Sequence, residues 1–195
     1  HEVKYPLQKF TQNYLSTFTP IVSLRYSPNE SKNKSQTSRI IDYNNIFSIN
    51  RIGFNDTVEG GQSITVGSEY SLYNNKKNNN KIISVDLATV LREKENNKLP
   101  ISSTIGKKNS DIFGSIDYDA SKFIDFDYNF ALDDNLKTLN FNQIKSTLSF
   151  YNFVSTFDFL ERKNYTSSES YISNETSLKI NDSSSLSYKT RKNKE

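Results

Sequence analysis

Apolar and polar residues alternate along most of this chain. In 63–72, Ile64, Val66, Tyr70 and Leu72 share one phase, and Ser63, Thr65, Gly67, Glu69 and Ser71 the other. A period of two puts each set on one face of a pleated strand. In 81–92 the apolar set is Ile83, Val85, Leu87 and Leu91, against Ser84, Asp86 and Ala88. In 111–119, Ile112, Ile116 and Tyr118 oppose Asp111, Ser115, Asp117 and Asp119. The clearest case is 123–132, where Ile124, Phe126, Tyr128, Phe130 and Leu132 alternate with Asp125, Asp127 and Asn129. Weaker strands are predicted at 153–161, 171–180 and 185–190, and at 15–26, where Pro20 calls for a strand start, an edge or a bulge. In 138–150 the phase changes between Phe141 and Ile144, which predicts a bulge or bend. No helix of ordinary length is expected, and 44–50 has room for a single turn.

The connections come in two lengths. Those at 119–122, 151–152 and 181–184 are short and the one at 74–80 a little longer, whereas 27–50, 93–109 and 163–169 are long. They alternate along the chain, except that a tight turn at 133–135 stands where a long loop is due. Strands of about 9–11 residues, short turns at one rim and long loops at the other are the pattern of an outer-membrane barrel. The predicted fold class is therefore all-β, an antiparallel up-and-down transmembrane β-barrel fragment forming an open curved sheet of about 8–10 strands. Asp117, Asp125 and Asp127 suit a wet lumen wall and would be costly in a dry sandwich core. A soluble sheet with one solvated face shows the same alternation. Against it, no amphipathic helix or second layer is available to cover the apolar face.

Composition sharpens this picture. Hydrophobic residues make up 34% of the 195 positions and mean hydropathy is −0.71, poor for a compact soluble core. Aromatics reach 13%, yet fall at periodic positions, which argues against disorder. No apolar run approaches the ~20 residues of a membrane helix. There is no cysteine, so no disulfide framework or thiol chemistry. A chain that begins at His1, without Met, reads as a piece of a longer protein, one partial domain over 1–195. Net charge is +3, from 25 basic and 22 acidic residues, too balanced to point to nucleic acid. A single histidine excludes a His-based triad or a two-histidine metal site. Asp133 and Asp134 are adjacent in an extended segment and lack an EF-hand frame. No catalytic residue, cofactor or metal is expected.

Four short motifs carry a resemblance. They are Pro20-Ile21-Val22-Ser23-Leu24-Arg25-Tyr26-Ser27-Pro28-Asn29, Asn45-Ile46-Phe47-Ser48-Ile49-Asn50-Arg51, Phe54-Asn55-Asp56-Thr57-Val58-Glu59-Gly60-Gly61 and Asn109-Ser110-Asp111-Ile112-Phe113-Gly114. In this order, at these strand boundaries, the chain resembles the middle of the C-terminal barrel of the LptD family, the LPS-assembly outer-membrane proteins also called OstA or Imp. The match is good over about 20–160. Asp86-Leu87-Ala88-Thr89 departs from the family's usual G-Q-x-Y element. The resemblance implies a non-catalytic role in the outer membrane of a Gram-negative bacterium, where lipopolysaccharide (LPS) is placed in the outer leaflet. It implies an LptE-like lipoprotein plug, a periplasmic LPS-bridge protein acting through an N-terminal jellyroll outside this chain, and barrel-closing strands also outside it. A soluble or surface-exposed β-sheet binding module, adhesin-like, is the alternative from another class, and a porin or receptor the alternative among barrels.

Two groups of residues are candidate sites. Arg51, Asp56, Glu59, Gly60 and Gly61 lie at a loop-to-strand boundary, as do Ser110 and Asp111 at the next. They form either a lumen loop that shapes the LPS path or a structural clasp in which glycine permits positive φ and the charges pair locally. Lys94, Lys98, Lys107 and Lys108 sit on one long loop that the strand order places outside the cell. They are either LPS-phosphate contacts or solvated lysines.

Overall fold

The computed structural model describes residues 1–33, 39–53, 57–76, 80–99, 103–121, 123–163, 168–181 and 183–194. Asp56 lies outside the described residues. In chain order the strands are β1 (Glu2–Lys4), β2 (Leu7–Phe10), β3 (Tyr14–Ser27), β4 (Lys32–Asn33), β5 (Thr57–Val58), β6 (Gly61–Asn74) and β7 (Asn80–Arg92). There follow β8 (Ile112–Ser121), β9 (Ile124–Leu132), β10 (Leu139–Phe150), β11 (Phe153–Arg162), β12 (Glu169–Asn181) and β13 (Ser184–Lys194). One helical turn, α1 (Tyr43–Ile46), interrupts the series.

Eleven strands form one antiparallel sheet in the order β1-β3-β6-β7-β8-β9-β10-β11-β12-β13, with β2 also on β3. β1 pairs with Ile21–Ser23 of β3 and β2 with Leu15–Phe18. They share one lane, so the sheet is ten strands wide. β6 pairs with β3, and from β7 onward every strand pairs with its predecessor, the up-and-down order that alternation and turn lengths predict. Neither β1 nor β2 is visible as a pattern in the sequence, since each is too short to establish a period. The bulge falls between Leu139 and Phe141, two residues earlier than the phase change suggests, because Asn140 leaves the ladder.

Cross-strand register assigns the faces. Ser63, Thr65, Gly67 and Glu69 of β6 oppose Arg92, Val90, Ala88 and Asp86 of β7. Ala88 and Asp86 continue to Phe113 and Ser115 of β8, and Phe113 to Ala131 of β9. This is the inner face. The opposite face carries Val22, Leu24, Ile64, Val66, Tyr70, Leu87, Leu91, Ile124, Leu148 and Phe157, all exposed although apolar. On it the Phe130 ring lies over Gly114, where a Cβ would come within 2.3 Å of Cζ. No other layer covers this outer face among the described residues, which a water-facing sheet would not tolerate.

At the short-turn rim, aromatic rings gather at the ends of β9–β11. Phe123 and Phe150 stand 6.2 Å apart, and Phe150 meets Tyr151 edge-on at 4.7 Å. Aromatic rings at strand ends form the girdles that flank the apolar band of membrane barrels, and Tyr151 adds a polar tip. No helix is long and apolar enough to cross a membrane among the described residues.

The buried cluster lies on the inner face near the long-loop rim. Ile41, Tyr43, Ile46, Ile52, Leu99 and Ile105 from the loops pack with Ala88, Val90, Phe113, Ala131, Phe141 and Leu160 from the wall. Alternation alone assigns a wholly wet lumen face; the structure dries its upper part, because two long loops fold over it.

Candidate functional site

The first loop, 28–60, turns inward through α1. Asp42 caps that turn: its Oδ1 accepts from Asn45 N at 3.2 Å, and Asn45 Oδ1 accepts from Asp42 N at 3.3 Å. This reciprocal box satisfies donors that a single helical turn would leave open. Phe47 follows and lies against Gly67, where a Cβ would be 2.8 Å from the Phe47 ring and 2.6 Å from Leu87 O. The absence of a side chain at Gly67 is what lets the loop sit flush on the sheet. Tyr43 Oη donates to Glu69 Oε1 at 3.1 Å, tying the turn to the wall below.

The end of this loop is held by charge. Glu59 is almost fully buried and bonds Arg51, whose Nε donates to its Oε2 at 2.8 Å. Arg51 Nη2 and Arg92 Nη2 both donate to Glu59 Oε1. Arg25 Nε stands 4.0 Å from Oε2. Arg51, 1% exposed, also donates to Thr65 Oγ1 at 3.1 Å, Ser63 Oγ at 3.2 Å and Ile46 O at 3.3 Å. Arg25 donates to the carbonyls of Ser48 and Ile49, and Arg92 to those of Ile105 and Gly60. Burial alone would push the Glu59 carboxyl up, but the Arg51 hydrogen bond and the charges of Arg51, Arg25 and Arg92 hold it below the usual carboxylate range. Three guanidiniums around one carboxylate persist because backbone carbonyls and the Ser63 and Thr65 hydroxyls take further donors.

Gly60 and Gly61 have separate reasons to be glycine. A Cβ on Gly60 would lie 2.0 Å from Asn29 O, and Gly60 N donates to Ser31 Oγ at 2.8 Å. Gly61 has open space around it, but its φ of +84° favours glycine.

The second loop, 93–111, closes against the first. Asn96 Nδ2 donates to Ser31 Oγ and, at 3.4 Å, to Gly60 O. Ser110 and Asp111 lock its return: Val90 N donates to Ser110 Oγ at 2.9 Å, Asp111 N to Thr104 Oγ1 at 2.7 Å, and Asn140 Nδ2 to Asp111 Oδ2 at 2.9 Å. Arg51, Glu59 and Gly60 thus share one cluster with Gly61 at its edge, while Ser110 and Asp111 sit in a neighbouring one on the same rim. Lys94, Lys98, Lys107 and Lys108 are exposed. Lys98 pairs with Glu30, holding that carboxyl below its usual range.

Arg25 and Arg92 escape sequence reasoning. The register pairs Arg25 with Ser63 and Ser63 with Arg92, so the three form one row across β3, β6 and β7. Both arginines lie in the polar phase at strand ends, which is a signal for the rim but not for a shared carboxylate. Asn140 and Thr104 are likewise invisible, since their roles depend on a bulge and a loop closure.

Below the loops, acids line the open inner wall. Glu69 opposes Asp86, Asp117 opposes Asp127, and Lys145 lies between Asp127 and Asp158.

A sheet with apolar side chains outside, polar ones inside, an aromatic rim and loops folded onto its inner face is a wall of transmembrane β-barrel type. The chain belongs to the LptD family, LPS transport system D, whose family model matches residues 2–187. This is a family of LPS transport and outer-membrane assembly in Gram-negative bacteria. No individual curated protein matches the chain.

Proposed function

We propose that this chain forms part of the wall of an outer-membrane translocon that inserts LPS into the outer leaflet, with no bond-making or bond-breaking of its own. The observation that carries this reading is the two-faced wall: Ile64, Val66, Tyr70 and Leu72 meet lipid, while Thr65, Gly67 and Glu69 face the interior. Such a wall offers acyl chains and sugars separate surfaces. The Arg51–Glu59–Gly60–Gly61 cluster and the Ser110–Asp111 lock act as clasps that fix the outer-rim loops over the lumen. The acidic inner wall beneath them remains open to an LptE-like plug lipoprotein, and the periplasmic LPS-bridge protein delivers the cargo from below. Lys94, Lys98, Lys107 and Lys108 present cations to LPS phosphates outside the cell.

The test is twofold. The full-length protein should migrate heat-modifiably in detergent gels, as membrane barrels do, and its depletion should remove newly made LPS from the cell surface. Heat-insensitive migration would favour a soluble or adhesin-like sheet module. Normal LPS display on depletion would favour a porin or receptor role.

A further inference from the structure

The outer face changes character across the sheet. On β6 to β9 its apolar positions continue to the long-loop rim, ending on Ile64, Leu91, Ile112 and Leu132. From β10 onward they stop short. The ladder row that starts at Phe130 runs on through Asn142, Glu161 and Ser170. The next outward-facing row begins with Tyr128 and Ile144 but ends on Lys192, opposite Ile172. The row below it begins at Phe126 and ends on Asn174 and Thr190. Thr190 and Lys192 are exposed.

Strands rise about 3.3 Å per residue and tilt about 40°, so each residue adds about 2.5 Å of height. The apolar band on β6, from Leu72 to Ile64, is then about 20 Å tall. On β11, from Phe153 to Phe159, it is about 15 Å, and on β13, from Leu186 to Tyr188, about 5 Å. A membrane barrel ordinarily presents about 25 Å. A lysine head can snorkel along its own stem, but threonine and asparagine have no such reach.

Nearer the short turns the polar side chains satisfy one another. Asn174 Nδ2 donates to Ser155 Oγ at 3.1 Å and Thr156 O at 3.2 Å, Thr176 Oγ1 donates to Asn174 Oδ1 at 3.0 Å, and the Ser155 and Thr176 hydroxyls meet at 3.0 Å. These donors are spent inside the wall, so the ring calls for no protein partner in the membrane. Higher up, the Lys192 cation is excluded by hydrocarbon and matched by anionic headgroups. A bilayer meets a short apolar band by thinning.

We propose that the bilayer is locally thinned against β11–β13, with lipid headgroups of the outer leaflet drawn down to the level of Thr190 and Lys192. The inference rests on the reading of the outer face as a membrane wall. It adds that this wall meets a full leaflet along β6–β9 and a shallow one along β12–β13. Polar headgroups cross less hydrocarbon there, so the leaflet is most easily disturbed on that side of the chain.

The experiment places nitroxide labels on the full-length protein in liposomes of phosphatidylethanolamine and phosphatidylglycerol, at Leu87→Cys, Thr190→Cys and Lys192→Cys in turn. Leu87 stands seven residues beyond Asn80 and Thr190 six beyond Ser184, so the Leu87 label sits slightly higher above the short-turn rim. Collisions with oxygen report hydrocarbon, and collisions with a water-soluble nickel chelate report the headgroup layer. The Leu87 label should favour oxygen, whereas the Thr190 and Lys192 labels should favour nickel several-fold more than it does. All three proteins should keep heat-modifiable migration, because these side chains point away from the loops. Thr190 and Lys192 labels that match Leu87 would show a leaflet of full thickness and overturn the proposal. Labels shielded from both reagents would show a protein partner and overturn it equally. A Leu87 label that favours nickel would instead defeat the membrane-wall reading itself.

Discussion

Replacing Glu59 by Gln is the sharpest probe of the rim. The carboxylate accepts from Arg51 and Arg92 and lies 4.0 Å from Arg25. Glutamine keeps the shape but removes the charge, and turns one acceptor oxygen into a donor that faces guanidinium N–H groups. Removing one partner of a buried pair typically costs about 3–5 kcal/mol. The carbonyls that also hold these arginines stay in place, so the lower end applies, about 3 kcal/mol, or more than 100-fold in the folding equilibrium. The assay is denaturant unfolding of the full-length protein in micelles, followed by heat-modifiable migration. The deficit should also depend on pH. In the fold Glu59 titrates below its usual range, so its contribution is complete above that range and fades as pH falls through the folded value. The gap between wild type and Glu59→Gln should therefore be constant from pH 7 to about pH 5 and narrow in stronger acid. A gap under about 0.5 kcal/mol at pH 7, or one that does not narrow in acid, would refute the view that charge holds this clasp.

Gly60→Ala should impair barrel assembly more than Gly61→Ala, because it drives a Cβ into Asn29 O, whereas Gly61→Ala meets only the left-handed penalty of about 1–2 kcal/mol; the ratio of folded to unfolded bands in gels reports both. Gly67→Val should lift Phe47 from the wall and raise single-channel conductance, with outer-membrane permeability to large antibiotics rising in parallel. Leu136 adopts a φ of +60° in an exposed turn, so Leu136→Gly should stabilise by up to about 1 kcal/mol in the same unfolding assay. Changing Lys94, Lys98, Lys107 and Lys108 together to Gln should leave assembly intact, since exposed ion pairs contribute about 1 kcal/mol or less, but should raise outer-membrane permeability; unchanged permeability would remove these lysines from LPS contact.

The wall was legible because strand alternation is a local property. Ile124, Phe126, Tyr128 and Phe130 announce their face without reference to any other strand, and so do Ile64 and Val66. The inner site was only partly legible. Glu59, Gly60 and Gly61 stood out as a charged, glycine-rich break, yet nothing local tells that Arg25 and Arg92, more than thirty residues away on either side, meet at one carboxylate. Val90, Ala88 and Phe113 read as unremarkable inner-phase residues, and their burial follows from loops whose path no periodicity encodes.

The row Arg25–Ser63–Arg92 also acts as a proofreader of assembly. A slip of one residue between β3, β6 and β7 would turn both arginines onto the lipid side, at about 2–4 kcal/mol each near the bilayer centre and less toward the interface. It would also strand Glu59 without partners. Hydrogen-bond ladders alone discriminate weakly between neighbouring registers, and a slip of two residues would keep the greasy face outward, but this three-strand coincidence fails in either case. The loop can settle only onto correctly paired strands, so its closure reports that three strands have found their places.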